Sequence, residues 1–210
     1  MNEDFPQFFC FDSIFSGNTI KNKQKGVGFM KKVIILGDDS RGLLTRTVVS
    51  ACTAYGGALV IDSSGLYETS EKPDFMVLCR EHISGIGCNG VIVFGEGDRG
   101  CCPDLKASGC IAVADSGCRR ILSSLIESGI TVIGCSSSGR DTLTLSCRSA
   151  GRVILSLQRT VRTVSGKVID PSEIEVRCPE EIPLYPVCAA ACVLLLNDVP
   201  YEKGYLFETP

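Results

Sequence analysis

Histidine is almost absent from this sequence of 210 residues, and paired metal-binding cysteines are absent altogether. The only histidine is His82, and none of the 13 cysteines belongs to a CxxC motif. A zinc site needs cysteines and histidines paired at ligand spacing. The sequence therefore argues against a zinc site.

Disulfide pairing is also poorly supported, because the number of cysteines is odd and most of them lie inside apolar runs. Examples are Cys79, Cys110, Cys135, Cys188 and Cys192. A free cysteine in such a run behaves as a small hydrophobic residue. We expect these thiols to be buried and reduced, which favours a cytoplasmic protein. The adjacent Cys101 and Cys102 leave a redox-active pair open as an alternative to plain unreactive thiols.

Basic surfaces and long apolar segments are scarce as well. The formal net charge is -3, the pI is near 5.3, and lysine and arginine are scattered along the chain. Glu3 and Asp4 stand where a signal peptide would be basic, and the longest apolar run, 187–196, is too short to cross a bilayer. We expect no nucleic-acid partner and no membrane segment.

The first 29 residues differ from the rest in that they are polar and aromatic without a hydrophobic period. A strand pattern begins directly after Met30. We therefore expect a poorly structured extension over 1–29 and one domain over 30–210. We also expect Met30 to be the natural start in a bacterial gene, because Lys25-Gly26-Val27 can be encoded by a ribosome-binding sequence. Mass spectrometry of the native N-terminus would test this start.

Short apolar runs rich in branched residues dominate the chain up to Gly139. They lie at 33–36, 58–61, 75–78, 91–94, 111–114 and 131–135. Runs of this length predict strands that are buried on both faces, as in a parallel sheet. Two helical patterns accompany them: Leu44, Val48, Ala51 and Tyr55 on one face of the first, and Ile121, Leu122, Leu125 and Ile126 on one face of the second, with Ser116 as its cap.

Beyond Gly139 the pattern changes to an alternation of apolar and polar residues. The apolar positions are Leu143, Leu145, Val153, Leu155, Leu157, Val161, Val164, Val168, Ile174 and Val176. Alternation of this kind predicts antiparallel strands. Pro183 and Pro186 then open an apolar helix over 187–196. The predicted fold is α/β: a mostly parallel sheet with flanking helices, followed by an antiparallel β segment and a C-terminal helix.

A glycine turn connects the first predicted strand to the first helix. The candidate binding residues are Gly37, Asp38, Asp39, Ser40, Arg41, Gly42 and Leu43. Backbone N–H groups and the helix dipole at a helix start suit an anion. A catalytic phosphate loop also needs a lysine and a hydroxyl for Mg²⁺, and Arg41 and Gly42 stand in those places.

The surroundings of this turn resemble the start of the Mur ligase central domain, in the branch that includes cyanophycin synthetase. The segment VIILGDDSRGLLTRTVV at 33–49 is similar to that family's strand, GTNGKTT loop and helix. Further similar segments follow in order at 63–67, 91–100, 113–116 and 185–196, so that the likeness covers about 32–207. The resemblance implies a P-loop-like fold with ATP on the glycine turn, and a reaction in which a carboxylate is phosphorylated before an amine attacks it.

The positions that carry chemistry in that family are changed here. Arg41 replaces the lysine, Gly42 replaces the Mg²⁺-binding hydroxyl, and Cys79 falls near the metal-ligating glutamate. Arg99 replaces a histidine and Cys188 replaces the adenine-side asparagine. The chain also ends where a Mur ligase would begin its C-terminal domain. We therefore predict a degenerate, non-catalytic relative with a regulatory, scaffolding or nucleotide-sensing role, ATP being the expected ligand and a protein partner or homo-oligomer the expected association.

Two alternatives stay open. One is an ATP-dependent amide ligase that works with a partner chain, with Asp39, Glu81, Asp98 and Asp115 holding Mg²⁺. The other is a dinucleotide-binding oxidoreductase, suggested by Asp62 at the end of the second strand. The absence of GxGxxG and the antiparallel second half argue against the latter.

Overall fold

A mixed sheet of twelve strands organises this computed structural model, which describes residues 8–9, 30–38, 42–83, 85–96, 105–137 and 139–207. The helices are α1 (Leu43–Ala54), α2 (Arg119–Glu127) and α3 (Leu184–Leu196). The strands are β1 (Phe8–Phe9), β2 (Lys31–Leu36), β3 (Ala58–Ile61), β4 (Leu66–Glu68), β5 (Phe75–Arg80), β6 (Gly85–Phe94), β7 (Lys106–Asp115), β8 (Thr131–Ser136), β9 (Leu143–Ser149), β10 (Arg152–Leu157), β11 (Val161–Arg162), β12 (Val168–Ile169), β13 (Ser172–Arg177) and β14 (Tyr205–Leu206).

The order of strands across the sheet is β14-β13-β10-β9-β8-β7-β6-β2-β5-β3-β4, with β1 beside β6. All neighbours from β9 to β3 are parallel. Strand β10 is antiparallel to β9 and β13, and β11 pairs with β12 in a separate antiparallel ribbon. The predicted change from parallel to antiparallel pairing after Gly139 is therefore confirmed.

Strand β2 shows why both faces of the sheet need a cover. Its residues Val33, Ile34, Ile35 and Leu36 are all fully buried. Val33 and Ile35 belong to the apolar cluster that includes α1 and α3, whereas Ile34 and Leu36 belong to the cluster that includes α2. Successive side chains of a strand point to opposite faces, so an apolar run of this kind requires helices on both sides.

Helix α3 is buried from Tyr185 to Leu196, between the sheet and α1. It begins at Leu184, three residues before the predicted range, with Pro183 as its N-cap. Pro186 fits in the first turn because the N–H groups there have no partner inside the helix. The two prolines are therefore compatible with a helix that starts earlier than the apolar run.

Two details of the prediction for α2 are wrong. Ser116 is not its cap: the backbone N–H of Ser116 donates to the Cys135 carbonyl in the neighbouring strand, and the N-cap position is Cys118. Ile126 is 71% exposed, whereas Ile121 and Leu125 are buried. A short helix contacts the sheet through one narrow stripe, and Ile126 lies about 140° around the axis from Ile121.

Only two residues of the segment 1–29 are described, and they form β1, which pairs in parallel with Gly85 and Ile86 of β6. The expectations of little regular structure over 1–29 and of a start at Met30 stay predictions. In the described part of the chain, no helix is long and apolar enough to cross a membrane.

Candidate functional site

The glycine turn lies at the carboxyl ends of three adjacent parallel strands. Gly37 follows β2 with a φ of 76°, and its N–H donates to the Arg80 carbonyl at the end of β5 at 3.0 Å. Gly95, which follows β6, donates its N–H to the Leu36 carbonyl at 2.7 Å. In open α/β sheets, ligands bind at this edge. The turn therefore occupies the expected place for a binding site.

Four of the seven candidate residues lie in the described part of the structure, namely Gly37, Asp38, Gly42 and Leu43. Asp39, Ser40 and Arg41 lie outside the described residues. The prediction that Ser40 and Arg41 hold a phosphate therefore stays a prediction, and the geometry of the site is carried by the residues on either side of them.

Asp38 occupies the start of helix α1 with its own carboxylate. The Oδ2 atom of Asp38 accepts a hydrogen bond of 2.8 Å from the backbone N–H of Thr45, the third residue of the helix. The N-cap residue, Gly42, has no side chain that could make this bond. The first N–H groups of a helix need an acceptor from outside the helix, and a carboxylate satisfies both that need and the helix dipole. An anion of the chain itself thus takes a position predicted for phosphate.

In its observed position, the side chain of Asp38 leaves no room for a side chain at Gly42. A Cβ atom at Gly42 would lie 2.0 Å from Oδ1 and 2.3 Å from Oδ2 of Asp38. The backbone of Gly42 has φ -61° and ψ 148°, a conformation that any residue can adopt. The absence of a hydroxyl residue at this position is therefore a matter of space, and it goes together with the carboxylate of Asp38.

The side chain of Cys79 is unsuited to the metal-binding role of the glutamate that the resemblance places on or near it. Cys79 is buried at the end of β5. The pKa of its thiol is raised to about 12, chiefly by burial and in part by the nearby carboxylates of Asp62 and Asp38. A metal ligand or nucleophile has to be the thiolate. Cys79 is therefore protonated at neutral pH and acts as a core residue.

Asp62 holds a turn together. Its Oδ1 atom accepts hydrogen bonds from the N–H of Ser64 at 2.7 Å, the hydroxyl of Ser64 at 2.6 Å and the N–H of Gly65 at 3.2 Å. The bond from the Ser64 hydroxyl is the main cause of a lowered pKa of Asp62. The carboxylate thus stabilises the link from β3 to β4, and its geometry gives no support to the dinucleotide hypothesis.

The acidic residues suggested for Mg²⁺ are not assembled into a site within the described residues. Asp115 uses Oδ1 to accept the N–H of Gly117 at 2.9 Å, and Glu81 is exposed. Asp39 and Asp98 lie outside the described residues. Over the ranges that the structure describes, no group of three or more histidine, cysteine, aspartate or glutamate side chains is arranged to hold a metal ion.

Tyr185 is a buried polar residue at this edge that the sequence did not single out. Its hydroxyl donates to the carbonyl of Phe94 and also lies 3.4 Å from the carbonyl of Val113, at the ends of β6 and β7. Cys188, one helical turn later, is fully buried, and burial raises the pKa of its thiol. This part of α3 is therefore anchored to the sheet, and it presents no amide group of the kind that the resemblance implies for adenine.

Three solved structures with a similar fold were compared with this chain. FolC from E. coli, in complex with DHPP and ADP, has a TM-score of 0.53 at 9% identity, covering 82% of this chain and 54% of FolC. MurF ligase from Thermotoga maritima, in complex with ADP, has a TM-score of 0.50 at 9% identity, covering 82% of this chain and 47% of MurF. The third structure is the UDP-N-acetylmuramoylalanyl-D-glutamyl-2,6-diaminopimelate--D-alanyl-D-alanyl ligase from Acinetobacter baumannii. It has a TM-score of 0.50 at 10% identity, covering 83% of this chain and 44% of the ligase.

These likenesses define a Mur-ligase-like α/β fold and confirm the predicted fold class. The chain spans about half the length of these structures. No protein-family model matches the sequence, and no curated protein does. At identities of 9 to 10% the likeness establishes the fold alone.

Proposed function

We propose that this chain is a Mur-ligase-like protein without ligase activity of its own, acting in a regulatory or scaffolding role. The observation that carries the proposal is the hydrogen bond of 2.8 Å from the N–H of Thr45 to the carboxylate of Asp38. A phosphate at the start of α1 would compete with Asp38 for that donor, and it would meet a negative charge. Of the turn residues that the structure describes, Asp38 and Gly42 do not suit the phosphates of ATP.

Electrostatics gives the size of this effect. Two unit charges of the same sign at 4 Å repel each other by about 4 kcal/mol at an effective dielectric constant of 20, which corresponds to roughly a thousandfold loss of affinity. Phosphoryl transfer depends on positioning and on neutralisation of charge. Asp38 adds negative charge and Gly42 supplies no hydroxyl for a metal ion. Both changes act against catalysis at this turn.

Calorimetry with ATP, ADP and pyrophosphate, with and without Mg²⁺, tests the proposal. We expect no saturable heat from the unchanged protein at millimolar ligand. Asp38→Asn keeps an acceptor for Thr45 and removes the charge, so it should bind pyrophosphate more tightly than the unchanged protein. Glu127→Gln also removes one negative charge, at an exposed position on α2. It is the control and should bind pyrophosphate no more tightly than the unchanged protein. Tight binding of ATP by the unchanged protein, with turnover to ADP, would contradict the proposal.

The nucleotide-sensing form of the prediction is decided by the same experiment. It requires Ser40 and Arg41 to hold a phosphate in spite of Asp38. Binding of ATP or ADP without turnover would favour sensing, and equal affinities of the unchanged protein and Asp38→Asn would show that Asp38 does not oppose the ligand.

A second candidate is an ATP-dependent acid–amino acid ligase that works with a partner chain. It is favoured by the ADP present in the FolC and MurF structures, which share the fold over 82% of this chain. Release of ADP from ATP, measured with the purified protein together with the products of neighbouring genes, tests it. Turnover that depends on both chains would establish this candidate, and no turnover with any of them would remove it.

A further inference from the structure

A cavity of about 510 Å³ lies at the end of the sheet that β14 forms. Tyr55, Glu175, Arg177, Lys203 and Leu206 are among its lining residues. Its volume falls in the range of small-molecule sites. Tyr55 follows the last residue of α1, whereas the glycine turn precedes the first, so that a helix of 12 residues, about 18 Å long, separates the two sites.

Tyr55 is fixed at the wall of this cavity. Its hydroxyl oxygen accepts a hydrogen bond of 2.8 Å from the backbone N–H of Leu206. Its ring packs edge-on against the ring of Tyr205 at a centroid distance of 5.5 Å. A phenolic hydroxyl is both an acceptor and a donor. Leu206 uses the acceptor function, and the O–H group of Tyr55 can still donate to a ligand.

Of the two carboxylates that line the cavity, that of Glu175 is paired with arginines. Glu175 accepts from Nη2 of Arg152 at 2.8 Å through Oε2, and from Nε of Arg177 at 2.9 Å through Oε1. The bond from Arg177 is the main cause of a lowered pKa of Glu175. The side chain of Arg177 is 70% exposed and uses only Nε in this bond. Its terminal amino groups can therefore bind a ligand.

The charged residues that line the cavity balance in number: Arg177 and Lys203 are positive, and Glu175 and Glu202 are negative. Arg152, which does not line the cavity, pairs with Glu175, so the donors of Arg177 and Lys203 are left for a ligand. In the described part of the chain no salt bridge involves Lys203. An anion is thus the ligand that this arrangement favours, since arginine and lysine side chains with free donors bind carboxylate and phosphate oxygens.

The shape of the cavity is set by the backbone. Gly204 has a φ of 73°, and a Cβ there would lie 2.8 Å from the carbonyl oxygen of Glu175. The loop before β14 can therefore lie against β13 only with glycine at this position. Leu206, which is 55% exposed, adds an apolar surface beside the charged groups.

We propose that this cavity binds a small organic carboxylate, with its carboxyl group between Arg177, Lys203 and the hydroxyl of Tyr55 and its apolar part against Leu206. The site is independent of the glycine turn, because no residue is shared between them. The expected ligand is an organic acid whose apolar part contributes to binding, which is a different class from the nucleotide expected at the glycine turn.

A titration followed by NMR, with N-acetyl-L-phenylalanine as the probe, tests the proposal. We expect saturable millimolar binding of this carboxylate, weakened by added salt, and no binding of the corresponding uncharged amide. Inorganic phosphate should bind more weakly, because it has no apolar part. No saturable binding of the carboxylate, or equal binding of the amide or of phosphate, would overturn the proposal.

Variants locate the site. Arg177→Gln and Lys203→Gln should each weaken binding of the carboxylate about tenfold, the loss expected for one charge-assisted hydrogen bond. Lys203 makes no salt bridge within the described residues, so its variant remains informative even if Arg177→Gln disturbs Glu175. Arg162→Gln and Lys167→Gln, exposed changes near the β11–β12 ribbon, are the controls. Equal affinities of Lys203→Gln and its control would place the ligand elsewhere.

Discussion

The Oδ2 atom of Asp38 lies 2.8 Å from the backbone nitrogen of Thr45, and this hydrogen bond closes the start of helix α1 from within the chain. A helix start that binds phosphate leaves such a donor to the ligand. Here the acceptor is covalently part of the turn, so a free ligand has to compete with a tethered carboxylate. An anion that binds this N–H group has to displace the carboxylate first.

The first prediction concerns the contribution of this bond to stability. Asp38→Ala should lower the free energy of unfolding by about 1 kcal/mol, as the loss of a helix-capping acceptor does, and Asp38→Asn should lower it less. Urea denaturation at neutral pH measures the change. Glu127→Ala, on the exposed side of α2, should stay within about 0.5 kcal/mol of the unchanged protein. An unchanged midpoint for Asp38→Ala would mean that the bond contributes nothing.

A double-mutant cycle tests the link between Gly42 and Asp38. Because the backbone of Gly42 is in an ordinary region, the cost of Gly42→Ala should come from the contact of the new Cβ with the carboxylate of Asp38. We expect Gly42→Ala to destabilise the unchanged protein by about 1 kcal/mol more than it destabilises Asp38→Ala. Additive effects in the cycle would show that the two residues are independent.

Tyr185 provides a third prediction. Tyr185→Phe keeps the ring but leaves the buried carbonyl of Phe94 without this donor, so it should lower the free energy of unfolding by about 1 to 3 kcal/mol. Tyr201→Phe is the matched control, because Tyr201 is only half-buried and its hydroxyl makes no hydrogen bond within the described residues. Thermal and urea denaturation should agree, and equal losses for both variants would refute a special role of Tyr185.

The fourth prediction is a loss of stability at alkaline pH. Burial raises the pKa of Cys79 from 9.0 to about 12. The folded protein therefore keeps this proton at pH values where the unfolded chain has released it. The resulting stabilisation is complete below pH 9 and is lost as the pH rises toward 12.

Urea midpoints at neutral pH and at about pH 10.5 measure this loss. Cys79→Ala should show a smaller decrease between the two pH values than the unchanged protein does. Cys147→Ala should show the full decrease, because Cys147 is exposed. If Cys79→Ala loses as much stability as Cys147→Ala, other groups cause the alkaline transition.

Local sequence patterns predicted most of the fold. The apolar run from Val33 to Leu36 predicted a strand buried on both faces of the sheet. The alternation after Gly139 predicted antiparallel strands with one buried face. These patterns reflect burial, which is a property of each residue and its near neighbours. The buried face of α2 was predicted too wide, because Ile126 is apolar but exposed. An apolar residue beside a buried stripe is not distinguished from a buried one by the pattern alone.

The candidate site was less predictable. An aspartate after a glycine turn can face solvent, bind a cation or cap the next helix. Asp38 caps the next helix, and the missing side chain at Gly42 leaves room for its carboxylate. The cavity at β14 depends on a contact between Tyr55 and Leu206, which are 151 residues apart. No local pattern carries information on a bond of that range.

The bond between Tyr55 and Leu206 also bears on how molecules of this protein can meet. Strand β14 is the outermost strand at one end of the sheet, and the hydroxyl of Tyr55 takes its Leu206 N–H out of reach of a neighbouring chain. At the opposite end, β4 leaves Leu66 and Tyr67 exposed. Unpaired N–H and C=O groups of an edge strand are a template for pairing with another chain. The Tyr55 hydroxyl removes one such donor at the β14 end, so we expect edge pairing between copies of this protein to favour the β4 end.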